Sequence, residues 1–368
     1  MNEQIKEKCT ECSLCQKECT FLQKYGNPKY IADKYCPADG KDQGIAFECS
    51  LCGLCAAVCP AEIDPSRMFL EMRREAVSLG RGNFQEHKAL LNYEKRGISK
   101  RYTWYGLPRG CDTVLFPGCA LPGTRPETVL NLFEHLRQSN PNLGIVLDCC
   151  TKPSLDLGRQ GYFQTLFGEM TAYLLDQGVR NVWVACPNCY RVFKEYGDEL
   201  KVKTVYEILA ENGLLGKENV SSDITIHDPC VVRFEAPIQD AVRGLVERKG
   251  LAIQEMSHNR HTTLCCGEGG AIGLLSPDLA KTWAALRMKE AQGRRMITYC
   301  AGCVNHLNPI SPTSHLLDLL FQPQATLAGK IKSSRSPMTY WNRIRLKHWF
   351  KKNINAPVSR ERIISLRD

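Results

Sequence analysis

The spacing of eight cysteines near the N-terminus constrains this chain more than any other feature. Cys9, Cys12, Cys15 and Cys19 read C-x2-C-x2-C-x3-C, and Cys49, Cys52, Cys55 and Cys59 repeat the pattern with Pro60 following. Three closely spaced thiolates can wrap three corners of an iron–sulfur cube through one tight turn. A fourth, three residues on, leaves on the next helical turn toward a neighbouring cube. The spacing therefore predicts two interlocked cubane [4Fe–4S] clusters. One would rest on Cys9, Cys12, Cys15 and Cys59, the other on Cys49, Cys52, Cys55 and Cys19. Zinc prefers two C-x2-C knuckles set apart by a longer loop, so a zinc-stabilised scaffold is the remote alternative. Thr20 stands where the second motif has Pro60, which alters the turn after Cys19 but removes no ligand.

The chain holds 20 cysteines in 368 residues. Disulfide-rich scaffolds are usually short and secreted, so this count points to metal or redox chemistry in a reducing compartment. The N-terminus is polar up to Cys9 and has no apolar signal region. No apolar run approaches the roughly 18 residues needed to span a bilayer. The expectation is a cytoplasmic chain, or one peripheral on the cytoplasmic membrane face. The formal charge of +9 lies in residues 330–368, where eleven Lys and Arg face only Glu361 and Asp368. Within that stretch the apolar residues of 340–352 scatter around a helical wheel, so an extended arm suits it as well as a helix. It reads as a solvated basic aromatic tail or a docking arm for anionic lipid or an acidic partner. Apart from its charge, nothing supports nucleic-acid binding.

The remainder is an internal repeat. Cys119, Cys149-Cys150, Cys186 and Cys189 are matched by Cys230, Cys265-Cys266, Cys300 and Cys303. Short apolar runs stand before these groups at 113–116, 144–147, 181–185, 224–226 and 296–299. Amphipathic helical stretches separate them at 127–138, 162–177, 239–249 and 277–292. Alternating strands and helices imply parallel sheets, whose ligands collect at the C-terminal strand ends. Each set of five cysteines should converge on one point there. Adjacent cysteines suit two neighbouring irons, which a tetrahedral zinc site could not use. The expected fold is an α-helical dicluster ferredoxin domain at 1–80 and a helical linker at 81–110, with a helix from 84 to about 96 and an aromatic stretch at 100–108. Duplicated α/β domains with small parallel sheets follow at 111–215 and 220–322, and then the tail at 323–368. Zinc knuckles or thioredoxin-like dithiols are the simpler readings of the two C-x-x-C pairs. Cys36 and Cys111 fall outside every motif and read as buried small hydrophobes. His227, His261 and His306 lie near the cysteines, where each could donate a proton, although surface or capping roles are commoner. The glycines of 267–273 read as backbone in close approach to the site.

In this combination the chain resembles the CCG-domain iron–sulfur oxidoreductases, and its layout is similar to that of the catalytic subunits of heterodisulfide reductases in which a dicluster ferredoxin precedes two such domains. The resemblance covers about residues 5–320. It implies that Cys119, Cys149, Cys150, Cys186 and Cys189 hold one further, non-cubane [4Fe–4S] cluster, and that Cys230, Cys265, Cys266, Cys300 and Cys303 hold another. It also implies disulfide cleavage between the two, with Cys149, Cys150, Cys265 and Cys266 at the reacting centres. The second copy carries Cys265-Cys266-Gly267, whereas Thr151 replaces the glycine in the first.

The sequence has no flavin or nicotinamide fingerprint. A partner must therefore split two-electron donors, and a flavoprotein or a membrane cytochrome or quinone-linked redox subunit is expected. The leading expectation is a heterodisulfide-reductase-like subunit. The alternative is an electron-wiring subunit of a flavin-dependent 2-hydroxy-acid or glycerol-3-phosphate dehydrogenase that feeds quinone.

Overall fold

The computed structural model describes residues 2–36, 44–213, 220 and 222–363. The N-terminal unit is built from short helices, among them Leu14–Glu18, Thr20–Tyr25, Leu54–Ala57 and the longer Pro65–Ser78. Each four-cysteine motif contains one of these short turns. Cys19 caps the helix Thr20–Tyr25, so Thr20 occupies the first helical position. Proline is equally at home there, and the departure from the second motif leaves the helix start intact. Asp64 caps the helix Pro65–Ser78 by accepting the Ser66 amide at 2.9 Å, with Pro65 in its first turn.

The first repeat forms a six-stranded sheet from β1 (Trp104–Leu107), β2 (Thr113–Phe116), β3 (Gly144–Leu147), β4 (Asn181–Val184), β5 (Lys201–Thr204) and the late β9 (Val358–Arg360). Their order is β5-β4-β2-β3-β1-β9. β5, β4, β2 and β3 run parallel, with Val114 opposite Val182 and Leu115 opposite Ile145. β1 and β9 close one edge antiparallel. The second repeat has a smaller parallel sheet, β6 (Ile224–His227), β7 (Arg295–Thr298) and β8 (Thr313–His315), in that order. Where the first repeat has β3, the second keeps only a single bridge between Ile224 and Ile253. Helices Pro126–Ser139, Gln160–Asp176, Ala236–Arg248 and Pro277–Ala291 cover the sheets, and one hydrophobic core runs through both repeats.

Three expectations are corrected here. Trp104–Leu107 lies in the stretch read as a linker, yet it is a strand of the first sheet. The tail is a helix, Met338–Asn353, followed by strand β9. Its buried face, Asn342, Arg343, Leu346, Lys347 and Phe350, shares one helical side, but three of the five are polar. Their polar heads donate to backbone carbonyls: Asn342 to Gly123 at 2.8 Å, Arg343 to Gly97 at 3.0 Å and Lys347 to Lys100 at 2.6 Å. The stems pack while the heads are bonded, so an apolar wheel cannot reveal the stripe. Finally, Cys111 is buried, with its thiol donating to the Thr113 carbonyl, but Cys36 is exposed. No helix among the described residues is long and apolar enough to cross a membrane.

Candidate metal centres and the cavity between the repeats

Eighteen of the 20 cysteines fall into four groups. Cys9, Cys12, Cys15 and Cys59 line one small crevice with Pro28, Pro60 and Ile63. Burial, together with repulsion from Cys9, Cys59 and Cys12, pushes the Cys15 thiol up to about 11. Cys19 is raised by burial and then by Cys52 and Cys49, and Cys55 by burial and then by Cys49, Cys52 and Cys19. The fourth cysteine of each motif thus sits among the first three of the other. Sulfur donors this close repel one another as thiolates unless a cationic core lies between them, and such a donor set fits iron–sulfur clusters.

Strand ends deliver most of the other ten. Cys119, Cys149-Cys150 and Cys186 follow β2, β3 and β4, and Cys230 and Cys300 follow β6 and β7. Cys189 and Cys303 lie one turn into helices Pro187–Tyr196 and Ala301–Leu307. The Cys189 and Cys150 sulfurs are 3.5 Å apart, and Cys119 is hydrogen-bonded to Cys149. In the second repeat Cys265 is hydrogen-bonded to Cys230 and Cys266, and Cys303 to Cys266 and Cys300. The Gly267 amide donates to the Cys265 sulfur at 3.3 Å. Gly267 has φ +100°, and a Cβ there would stand 2.4 Å from the Ala280 carbonyl oxygen. A Cβ at Gly270 would stand 2.5 Å from the Cys49 carbonyl oxygen, so this turn needs the close approach expected of its glycines. Thr151, at the matching place in the first repeat, adopts φ 52° despite its branched side chain. Replacing the glycine has therefore kept the left-handed backbone.

The groups are not isolated. Burial raises the thiol pKa of both Cys49 and Cys52, and repulsion from Cys265 adds to it in each case, so the second ferredoxin group adjoins the second repeat. Cys186 is hydrogen-bonded to Cys300, which brings the two repeats' groups together. The spatial order is thus first ferredoxin group, second ferredoxin group, second repeat, first repeat. Two buried arginines fix this arrangement. Arg73 donates to the carbonyls of Ala46 and Cys49 in the ferredoxin unit, Asp156 in the first repeat and Gly270 in the second. Arg233 donates to those of Cys52, His261 and Thr263. No motif marks either arginine in the sequence.

A cavity of about 580 Å³ opens between the repeats. All five cysteines of the first repeat and Cys300 of the second line it. Its polar groups include His306, Asn188, the Lys152–Asp156 ion pair and Glu268, whose carboxyl is pushed up to about 7 by burial and by Cys186. His227 departs from the surface or capping role expected of it. It is fully buried with neither ring nitrogen bonded, and burial lowers its pKa to about 3. His261 uses its backbone carbonyl, which accepts from Arg233.

Matching family models agree with this geometry. Residues 5–63 match a 4Fe-4S dicluster domain, and 113–194 and 224–308 each match the cysteine-rich CCG domain. The chain is 26% identical over 335 residues to one subunit of the fumarate reductase (CoM/CoB) of Methanothermobacter marburgensis, covering 81% of this chain and 67% of that one. It is 23% identical over 273 residues to one subunit of the dihydromethanophenazine:CoB–CoM heterodisulfide reductase of Methanosarcina mazei, covering 66% of each. A third relative, the EtfAB:quinone oxidoreductase of Syntrophomonas wolfei, is 26% identical over 258 residues, 61% of this chain and 36% of that one. The chain spans about two thirds of the length of the first two. These matches and the site define an iron–sulfur electron-transfer protein. It belongs to the CCG-domain oxidoreductase family, with a dicluster ferredoxin unit ahead of two cysteine-rich domains, and is related to the heterodisulfide reductases.

Proposed function

We propose that this chain passes electrons from two cubane [4Fe–4S] clusters to two further clusters in its repeats, and that it reduces a disulfide in the cavity between them. The ligands are Cys9, Cys12, Cys15 and Cys59, then Cys49, Cys52, Cys55 and Cys19. The second repeat contributes Cys230, Cys265, Cys266, Cys300 and Cys303, and the first Cys119, Cys149, Cys150, Cys186 and Cys189. When bound, the clusters supply one-electron transfer. Two electrons and two protons convert one disulfide into two thiols. The protein's part is to place its four sulfur groups in contact along one line and to end that line at a pocket.

The cavity carries this reading. It is faced by cysteines of both repeats and is otherwise largely apolar, with Glu268, His306, His315, Tyr93 and the Lys152–Asp156 pair as its charged or titratable groups. That composition suits a small disulfide held away from bulk water. Oxidising the anaerobically purified protein with a chemical oxidant in the presence of each of a panel of small thiols should give a thiol-dependent paramagnetic signal. Cys265→Ala or Cys266→Ala should abolish it if the second repeat is the site, and Cys149→Ala or Cys150→Ala if the first is.

The relative named as an EtfAB:quinone oxidoreductase favours a second reading, in which the chain wires a flavoprotein toward quinone. A flavoprotein that reduces every cluster, with no thiol in the panel giving a signal, would establish wiring in place of reduction. In either case a flavoprotein, or a membrane cytochrome or quinone-linked redox protein, is the partner class. The basic tail is a weaker candidate for membrane contact than its charge implies. Arg343, Lys347 and Arg362 turn inward, and Arg345, Lys351 and Arg360 pair with Glu127, Glu361 and Glu169.

A further inference from the structure

Among the described residues, one set of His, Cys and acidic side chains places three donor atoms from different residues within 4.8 Å of one another: His227, Cys266 and Cys303. All three are buried. His227 ends β6, three residues before Cys230, and its ring nitrogens have no protein partner. A buried imidazole with a free donor and a free acceptor is rare in a folded protein unless something else occupies the site. Here the sulfurs of Cys266 and Cys303, from the second repeat's own five-cysteine set, lie within 4.8 Å of a ring nitrogen.

The first repeat offers an internal control. Its residue at the same place, the last of β2 and three before Cys119, is Phe116, fully buried and packed edge-on against Phe193 at 5.2 Å. One repeat thus has a hydrocarbon ring where the other has a hydrogen-bond donor.

We propose that His227 is a sixth protein group at the second repeat's cluster, donating its imidazole N–H to the sulfur of Cys266 or Cys303. The proposal rests on the reading that the five cysteines of that repeat hold a cluster. A donor to a ligand sulfur stabilises the more negative, reduced state and so raises the reduction potential. His227 is a positioning and tuning residue that leaves the ligand set unchanged. It makes the two sites facing the cavity electronically unequal, and it acts on the one next to the ferredoxin unit.

The test compares wild type, His227→Phe and His227→Gln as anaerobically purified full-length protein, by metal analysis and by redox titration followed by paramagnetic resonance. His227→Phe, which copies the first repeat, should lower the midpoint of one repeat cluster and leave the other, with iron content unchanged. His227→Gln, which keeps an N–H donor, should restore most of the shift. Wild type carrying 15N-histidine should show a weak nitrogen coupling to that cluster, and this needs no variant to fold. Unmoved midpoints in His227→Phe at full iron content, or no histidine coupling in wild type, would overturn the proposal. A strong coupling typical of direct iron–nitrogen bonding would overturn the donor role as well. Failure of the cluster reading itself would already appear in wild type, as repeats without iron.

Discussion

Asp148 stands beside the cysteine pair of the first repeat and is almost wholly removed from solvent. Its carboxylate accepts from the Tyr105 hydroxyl, from the Cys149 amide at 2.7 Å and from Arg362 at 3.0 Å. Arg362 lies among the last described residues of the chain, more than two hundred residues away, so the tail supplies the counter-charge next to a cysteine site. Removing one partner of a buried pair strands the other, at a cost of about 3–5 kcal/mol. Arg362→Met should therefore destabilise the fold by that order in chemical denaturation. Glu94 gives a second test of buried charge. It accepts from the Ser154 amide at 2.9 Å, and burial pushes its carboxyl from the ordinary 4.5 up to about 7. Between those values the folded state keeps a proton that the unfolded chain has lost. The site's stabilising contribution is therefore complete below about pH 4.5 and falls as pH rises toward 7, by about 1.4 kcal/mol for each pH unit of the interval. Glu94→Gln cannot lose a proton, so its melting temperature relative to wild type should rise across that window and level off above it. At this scale the cysteines were legible because cluster ligation imposes a spacing on the sequence. Asp148, Glu94 and the buried state of His227 were not, since their roles depend on partners distant in sequence or absent from it.

The elements were legible where local pattern and tertiary role agree. The runs 113–116 and 144–147 are buried throughout and lie at the sheet centre, where continuous apolar sequence is what a parallel strand requires. Trp104–Leu107 is as short and as buried but stands in the aromatic stretch read as a linker, and it is a strand because β3 and β9 pair with it on either side. β9 is itself mostly exposed and is held by side chains. Arg360 lies 3.6 Å from the Tyr173 ring centroid and 4.5 Å from that of Tyr105. The helix Met338–Asn353 depends on Phe350, fully buried and edge-on to Phe133 at 5.0 Å. Phe350→Ala should cost about 3–5 kcal/mol, measured by denaturant midpoint. A solvated arm would give no change, so this variant separates an integral tail from an appended one.

At the scale of the whole molecule, sequence order and spatial order differ. The first repeat follows the ferredoxin unit in the chain, yet it is the second repeat whose cysteines adjoin the ferredoxin cysteines. Leu264, Cys265, Ile272, Ala280 and Trp283 share a hydrophobic core with the N-terminal helices. The repeat and its pairing of five cysteines with five could be read from spacing. Which repeat's cysteines stand beside the ferredoxin cysteines could not, because the deciding contacts are backbone carbonyls gathered by Arg73 and Arg233. The central claim is that eighteen of the 20 cysteines serve four iron–sulfur clusters along this path. Iron, zinc and acid-labile sulfide counted per chain in anaerobically purified protein test it most directly. The account predicts about sixteen iron atoms with matching sulfide and no stoichiometric zinc, four irons for each cysteine group. About eight irons, with zinc in the repeats, would contradict it.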